Sequence, residues 1–255
     1  MSNISSDSLF HFTPKQDFLV GILENGFIPR YCFEETRLSS EIKTGLLSAF
    51  PMVCFCDLSL SQILEHVELY GSYGIGMRKD WGIKIKLNPV IYANVDSLLA
   101  DSFGQLSQDI IDLLKTDEVP DKFARAAHNY IKVLKYFKSY QGDFRRNGEL
   151  ITNVRFYNER EWRYVPIVDF DESIEGTLSL EEYNNSIKLE QENRKLEKFK
   201  LTFKPEDIKY LFVKDESEIH PLIKAVREIN KKYSNQEIDI LTSKILTVKQ
   251  IKEDF

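Results

Sequence analysis

Glu159 and Glu161 stand two residues apart in the segment Glu159-Arg160-Glu161-Trp162-Arg163-Tyr164, where charge alternates with aromatic rings. In an extended strand successive side chains alternate faces, so Glu159, Glu161 and Arg163 share one face and Arg160, Trp162 and Tyr164 the other. The expected arrangement packs the Trp/Tyr face on the core and lines a cleft with two carboxylates and a guanidinium. Carboxylates so placed can hydrogen-bond a ribose hydroxyl and stabilise positive charge developing at an anomeric carbon. Cleavage of a nicotinamide–ribose bond needs both, because its transition state resembles an oxocarbenium ion. The same residues also fit an exposed edge with cross-strand Glu–Arg pairs, each worth roughly 0.2–1 kcal/mol.

A second group lies early in the chain. His11 and Thr13 share a face at the end of the apolar run Ser8-Leu9-Phe10-His11-Phe12-Thr13, and both can hydrogen-bond a ribose or a phosphate. The competing reading of His11, flanked by two Phe, is a core histidine satisfied by a backbone carbonyl. Tyr31, Tyr70 and Tyr73 are candidates to stack a nicotinamide or adenine ring, or else core and rim residues. Lys132, Lys135, Lys138, Arg145 and Arg146, interleaved with aromatics, read as a phosphate-tracking patch or as a solvated helix face. His66, His128 and His220 show no metal-ligand spacing, and the three cysteines, Cys32, Cys54 and Cys56, lack a second pair. No metal is expected, and the thiols read as reduced and buried.

The elements that must hold these residues follow from periodicity. Strand 8–13 feeds a helix through Phe18, Leu19, Ile22 and Leu23, stopped at Gly26, and a returning strand begins at Phe27. Leu46, Leu47 and Phe50 suggest a helical turn that Pro51 ends before the apolar strand Met52–Cys56. Ser59 is a plausible N-cap for a helix through Ile63, Leu64 and Val67. Residues 95–145 read as a helical insertion broken at Pro120, and Gln141–Gly148 as the clearest loop. Strand character is expected from Val154 through Glu161 to Val168, followed by a charged excursion over about 171–199. The whole is expected to be a single α+β domain spanning 1–255, a twisted mixed or antiparallel two-sheet core carrying the helical insertion.

The balance of 34 basic and 40 acidic residues gives a net charge of −6, which argues against indiscriminate nucleic-acid binding. No apolar run approaches a membrane span and the opening Met-Ser-Asn-Ile-Ser-Ser-Asp is not a secretion signal, so a soluble, cytoplasmic protein without membrane partners is expected.

Four stretches in order resemble the AbiGi family of bacterial abortive-infection proteins: Ser5–Thr13, Ile22–Cys32, Pro51–Ile63 and Tyr73–Ile83. That resemblance implies a phage-defence role and, from the family's description, the antitoxin side of a two-gene toxin–antitoxin system. A more distant resemblance, carried by His11-x-Thr13, the helix ending Ile22-Leu23-x-x-Gly26 and the late strand glutamate, points to the ADP-ribosyltransferase fold, including DarT-like toxins. It implies NAD as substrate, with His11 and Thr13 on the NAD ribose and backbone and Tyr31 or Tyr73 against nicotinamide. Glu161 would be the catalytic carboxylate with Glu159 assisting, and RNA or protein the acceptor. No Ser-Thr-Ser motif accompanies it. The expectation that follows is a transferase, with a non-catalytic antitoxin partner as its alternative.

Overall fold

The computed structural model describes residues 6–37, 45–116, 119–146, 149–168, 171–229 and 233–254. In chain order come β1 (Ser8–Thr13), helix α1 (Gln16–Asn25), β2 (Arg30–Arg37) and β3 (Gly45–Cys56); α2 (Leu64–Tyr70), β4 (Tyr73–Arg78) and α3 (Lys79–Lys84) follow. The short strands β5 (Asn88–Pro89) and β6 (Ile91–Ala93) precede α4 (Leu98–Leu114) and α5 (Asp121–Leu134). Next come β7 (Phe137–Ser139), β8 (Gly142–Arg146), β9 (Glu149–Val154), β10 (Glu161–Tyr164), α6 (Leu180–Asn184) and α7 (Ser186–Lys195). The chain closes with β11 (Ile208–Val213), α8 (Ile219–Glu228), α9 (Asn235–Thr242), β12 (Ile245–Thr247) and α10 (Val248–Asp254). The fold is therefore α+β, with mostly antiparallel strand pairing.

Two compact units divide these elements: the first within Met1–Pro29, Val53–Asn88 and Leu196–Phe255, the second within Arg30–Met52 and Pro89–Lys195. In the first unit β4 pairs antiparallel with β1, Ser8 opposite Arg78 through Thr13 opposite Tyr73, and with β11 on its other side. β12 adds in parallel to β11, and Phe10 pairs with Cys56 of β3. Phe10, Phe12, Ile63, Val67, Phe212 and Ile251 close one core of this unit, each ring or branched side chain worth about 1.5–3 kcal/mol on burial. α1 ends where Gly26 turns to φ 87°, a left-handed conformation that glycine adopts without Cβ strain. A Cβ there would also meet the Leu201 carbonyl oxygen at 2.5 Å, the same oxygen that accepts the Phe27 N–H.

In the second unit β2 runs antiparallel to β3 from Arg30 opposite Met52 to Arg37 opposite Gly45, and β6 pairs in parallel with β7. Several sequence expectations change here. Leu46–Phe50 is strand rather than helix, and Pro51 sits within β3 opposite Tyr31; the chain between β2 and β3 at 38–44 lies outside the described residues. The returning strand starts at Arg30, not Phe27, because Phe27 is held by Leu201. Of the expected loop 141–148, residues 142–146 are β8, paired with β9, and 147–148 lie outside the described residues. The helical block is α4 and α5, so its last part is strand. The strand expected to run unbroken from Val154 is interrupted by a 3-10 turn at Phe156–Glu159 with Arg160 left-handed (φ 47°, ψ 48°). The charged stretch carries α6 and α7, and it buries Glu192, Asn193 and Leu196; residues 169–170 before it lie outside the described residues.

Candidate functional site

The break at Arg160 decides the geometry of the carboxylates. Glu159 leaves from the 3-10 turn and Glu161 opens β10, whose backbone is held by the Val90 N–H on the Glu161 carbonyl (3.0 Å) and by the Glu161 N–H on Tyr92 Oη (2.8 Å). The expected faces are exchanged: Glu161 and Arg163 point inward, whereas Trp162 and Tyr164 are only half-buried. A charged face can be the inner one when its charges are paired and hydrogen-bonded.

Here they are. Lys138 of β7 extends its ammonium to Glu159 Oε2 at 2.5 Å and Glu161 Oε2 at 2.8 Å. Arg163, with no exposed side-chain surface, donates from Nε to Glu161 Oε1 at 2.5 Å and from Nη2 to Glu34 Oε2 at 3.0 Å. Its Nη1 donates to the Lys135 carbonyl at 2.8 Å. The Lys138 ammonium also lies 5.1 Å from the Phe156 ring centroid, a cation–π contact. Three carboxylates and two cations thus make a chain, Glu34–Arg163–Glu161–Lys138–Glu159, inside the second unit. Burial and the Glu161 charge push the Tyr92 phenol above its ordinary range. Burial and the neighbouring Glu34 push the Cys32 thiol up to about 12, so it stays protonated and unreactive at neutral pH. Both Glu161 oxygens are engaged by cations, Oε1 by the Arg163 Nε–H and Oε2 by the Lys138 ammonium.

Of the residues singled out by sequence, His11, Thr13, Tyr70 and Tyr73 fall in the first unit and Tyr31, Glu159 and Glu161 in the second. In the first, His11 lies against the rings of Phe27 (5.4 Å) and Phe55 (5.7 Å), and its Nδ1–H donates to the Cys54 carbonyl at 2.8 Å. That bond leaves Nε2 as the unprotonated nitrogen of the neutral ring, and burial lowers the histidine pKa. This is the contact set of the core-histidine reading. Thr13 donates to the Lys15 carbonyl at 3.0 Å, and Tyr73, its register partner, donates to Glu218 Oε1 at 3.1 Å. Burial and Glu218 raise the Tyr73 phenol pKa. In the second unit Tyr31 is buried: its N–H donates to Asn193 Oδ1 at 2.9 Å and its hydroxyl to the Glu175 carbonyl. Glu159 and Glu161 are brought together by one lysine.

The expected basic patch is corrected at two positions. Lys135 is buried with its ammonium on the Gly176 carbonyl (3.3 Å), and Lys138 belongs to the carboxylate chain. Neither is on a solvated face; the side chains of Arg145 and Arg146 lie outside the described residues. Sequence reasoning missed Glu34 and Lys138 as members of the cluster. A signal existed for Glu34, a carboxylate alternating with Cys32 and Thr36 on one face of an otherwise buriable strand. Among the described residues no group of three or more His, Cys, Asp or Glu is arranged to hold a metal ion, and no helix is long and apolar enough to cross a membrane.

A family model described as "Putative abortive phage resistance protein AbiGi, antitoxin" matches residues 25–214. The abortive phage resistance protein AbiGi of Lactococcus lactis subsp. cremoris is 29% identical over 254 residues, covering 90% of this chain and 99% of that protein. No solved structure matches the chain.

Proposed function

The chain belongs to the AbiGi family, and from that membership we propose that it is an abortive phage resistance protein acting as the antitoxin, a non-catalytic partner that binds and restrains a toxin protein. The family description supports the antitoxin side. The observation that carries the non-catalytic part is the engagement of Glu161 by Arg163 and Lys138, with Glu159 on the same lysine. A general acid or a cation-stabilising carboxylate needs an oxygen turned toward a substrate. Here the Glu161 oxygens are turned toward the buried Arg163 guanidinium and the partly buried Lys138 ammonium.

The transferase reading keeps one specific observation, two carboxylates within reach of a single ammonium. On that reading Glu161 would act on NAD with Glu159 assisting, and RNA or protein would accept the ADP-ribose. It requires Glu161 to exchange Arg163 for a nucleotide. The test is incubation of the purified chain with labelled NAD and cell lysate, alone and with the toxin encoded beside it, beside Glu161→Gln. The antitoxin reading predicts a stable complex with the toxin and neither label transfer nor released nicotinamide from the chain. Label transfer that Glu161→Gln abolishes, with the variant folded, overturns it.

A further inference from the structure

Two arginines of the second unit lie against tyrosine rings. Arg155 sits 5.9 Å from the Tyr140 ring centroid and Arg160 4.6 Å from that of Tyr157. The Tyr140 and Tyr157 rings stack on each other at 5.4 Å and 30°, and Tyr92 meets Tyr157 edge-on at 5.2 Å. Guanidinium, ring, ring and guanidinium are thus linked in one row. The backbone fixes that row: the Tyr140 N–H donates to the Ala93 carbonyl at 2.8 Å and the Tyr157 N–H to the Tyr140 carbonyl at 3.2 Å.

The row is open to water. Arg155, Tyr157 and Arg160 are exposed, and Tyr92 and Tyr140 are half-buried. A guanidinium carries five N–H donors, and a cation–π contact uses none of them. Among the described residues neither Arg155 nor Arg160 meets a carboxylate or donates a side-chain hydrogen bond, whereas Arg30, Arg163 and Arg194 all hold carboxylates. The neighbouring acids are committed elsewhere: Glu159 to Lys138, Glu161 to Lys138 and Arg163, and Asp143 of the adjoining hairpin to the Asn153 N–H at 3.2 Å. Arg160 is also the residue that takes a left-handed backbone (φ 47°), a conformation costly for an arginine. With Glu159 and Glu161 both buried, that turn leaves Arg160 outside on the Tyr157 ring. Rings beside guanidiniums with unused donors match a ligand that carries a flat ring and an anion, and carries each more than once. An acidic peptide would use the guanidiniums and leave the rings idle, and a duplex hides its base faces within its own stack.

We infer that the Tyr140–Tyr157 row is a binding platform for single-stranded nucleic acid. A base lays itself on Tyr157 in place of Arg160, and the guanidiniums of Arg160 and Arg155 turn to the flanking phosphates. The net charge of −6 opposes binding over the rest of the surface and keeps the affinity low, with Kd on the order of 10 µM at low salt. The inference rests on neither the antitoxin nor the transferase reading and fails separately from both.

The test is fluorescence anisotropy of labelled oligo(rA), oligo(dA) and a DNA duplex, each titrated with the full chain at several salt concentrations. The single strands are expected to bind at least about tenfold more tightly than the duplex, and a preference for the RNA strand would identify RNA as the ligand through its 2′-hydroxyl. Tyr157→Ala is expected to raise Kd by about tenfold or more, with folding checked by circular dichroism. Arg155→Gln with Arg160→Gly, the glycine keeping the left-handed turn, is expected to reduce the slope of log K against log salt by about 1.4, two phosphate contacts' worth. No binding of either strand at low salt overturns the inference, as does a duplex bound as tightly as the single strands or binding that both variants leave unchanged. If neither strand binds and the same substitutions release the toxin instead, the row belongs to the toxin and the nucleic-acid platform is refuted.

Discussion

Replacing Arg163 by methionine would remove the guanidinium that touches both Glu34 and Glu161 while roughly keeping the volume. The side chain is fully buried, so the variant takes the guanidinium from Glu161, which keeps Lys138, and from Glu34, whose side chain is 15% exposed. Breaking a buried pair by deleting one partner costs roughly 3–5 kcal/mol, because the remaining charge is stranded where water cannot solvate it. For a chain of this size each kcal/mol moves Tm by about 2–4 °C, so a fall of roughly 6–20 °C is expected. The comparison that isolates the cause is the pair replacement, Glu161→Leu with Arg163→Met. It removes both charges and leaves Lys138 on Glu159, and exchange of a whole buried pair for apolar side chains is often close to neutral. At least half of the lost Tm should return, a coupling of about 1.5–3 kcal/mol in a double-mutant cycle. Thermal unfolding followed by circular dichroism reads both numbers. A single variant within about 2 °C of wild type, or a double variant as unstable as the sum of its singles, would refute the claim that this cluster is a compensated ion chain.

Three further outcomes follow from the geometry. Gly71 lies at φ 114° with the Thr13 carbonyl oxygen 2.3 Å and Pro14 Cα 2.4 Å from where a Cβ would stand, so Gly71→Ala should destabilise by more than about 2 kcal/mol in a urea titration. Gly21, inside α1 with nothing within 4 Å of that point, should instead gain roughly 0.5–1 kcal/mol as alanine. His11 has a folded pKa below its free value of 6.5, so just below pH 6.5 the unfolded chain binds the extra proton first. That contribution to stability is full above 6.5 and is lost as pH falls through the folded pKa. The urea midpoint of wild type should therefore drop more steeply below pH 6.5 than that of His11→Asn, and equal slopes would count against the buried neutral histidine.

Local signals in the sequence were sufficient where a single residue type dictates the backbone. The helix after β1 stops at Gly26 because only glycine takes φ 87° at no cost, and the apolar run Ser8–Thr13, bounded by polar residues, specified a strand. Pairing over long distances was not legible. Alternation revealed that Glu161 and Arg163 share a face, but the burial of that face depends on Glu34 and Lys138, far away in sequence. A lysine among aromatics reads as solvated until its carboxylates are known, which is why Lys138 was assigned to a basic patch. Pro51 marks a break by local rules, yet β3 continues through it opposite Tyr31. Arg160 carried no sign of a left-handed conformation, and that one residue separates Glu159 from the strand that presents Glu161.

The measurement that bears most directly on the antitoxin reading is growth of bacteria in which the toxin that this reading calls for is induced with and without this chain. The toxin alone should arrest growth, the chain alone should be harmless, and the two together should restore growth in proportion to the chain's abundance. Arrest by the chain alone, or arrest by the toxin undiminished by an excess of folded chain, would contradict the account.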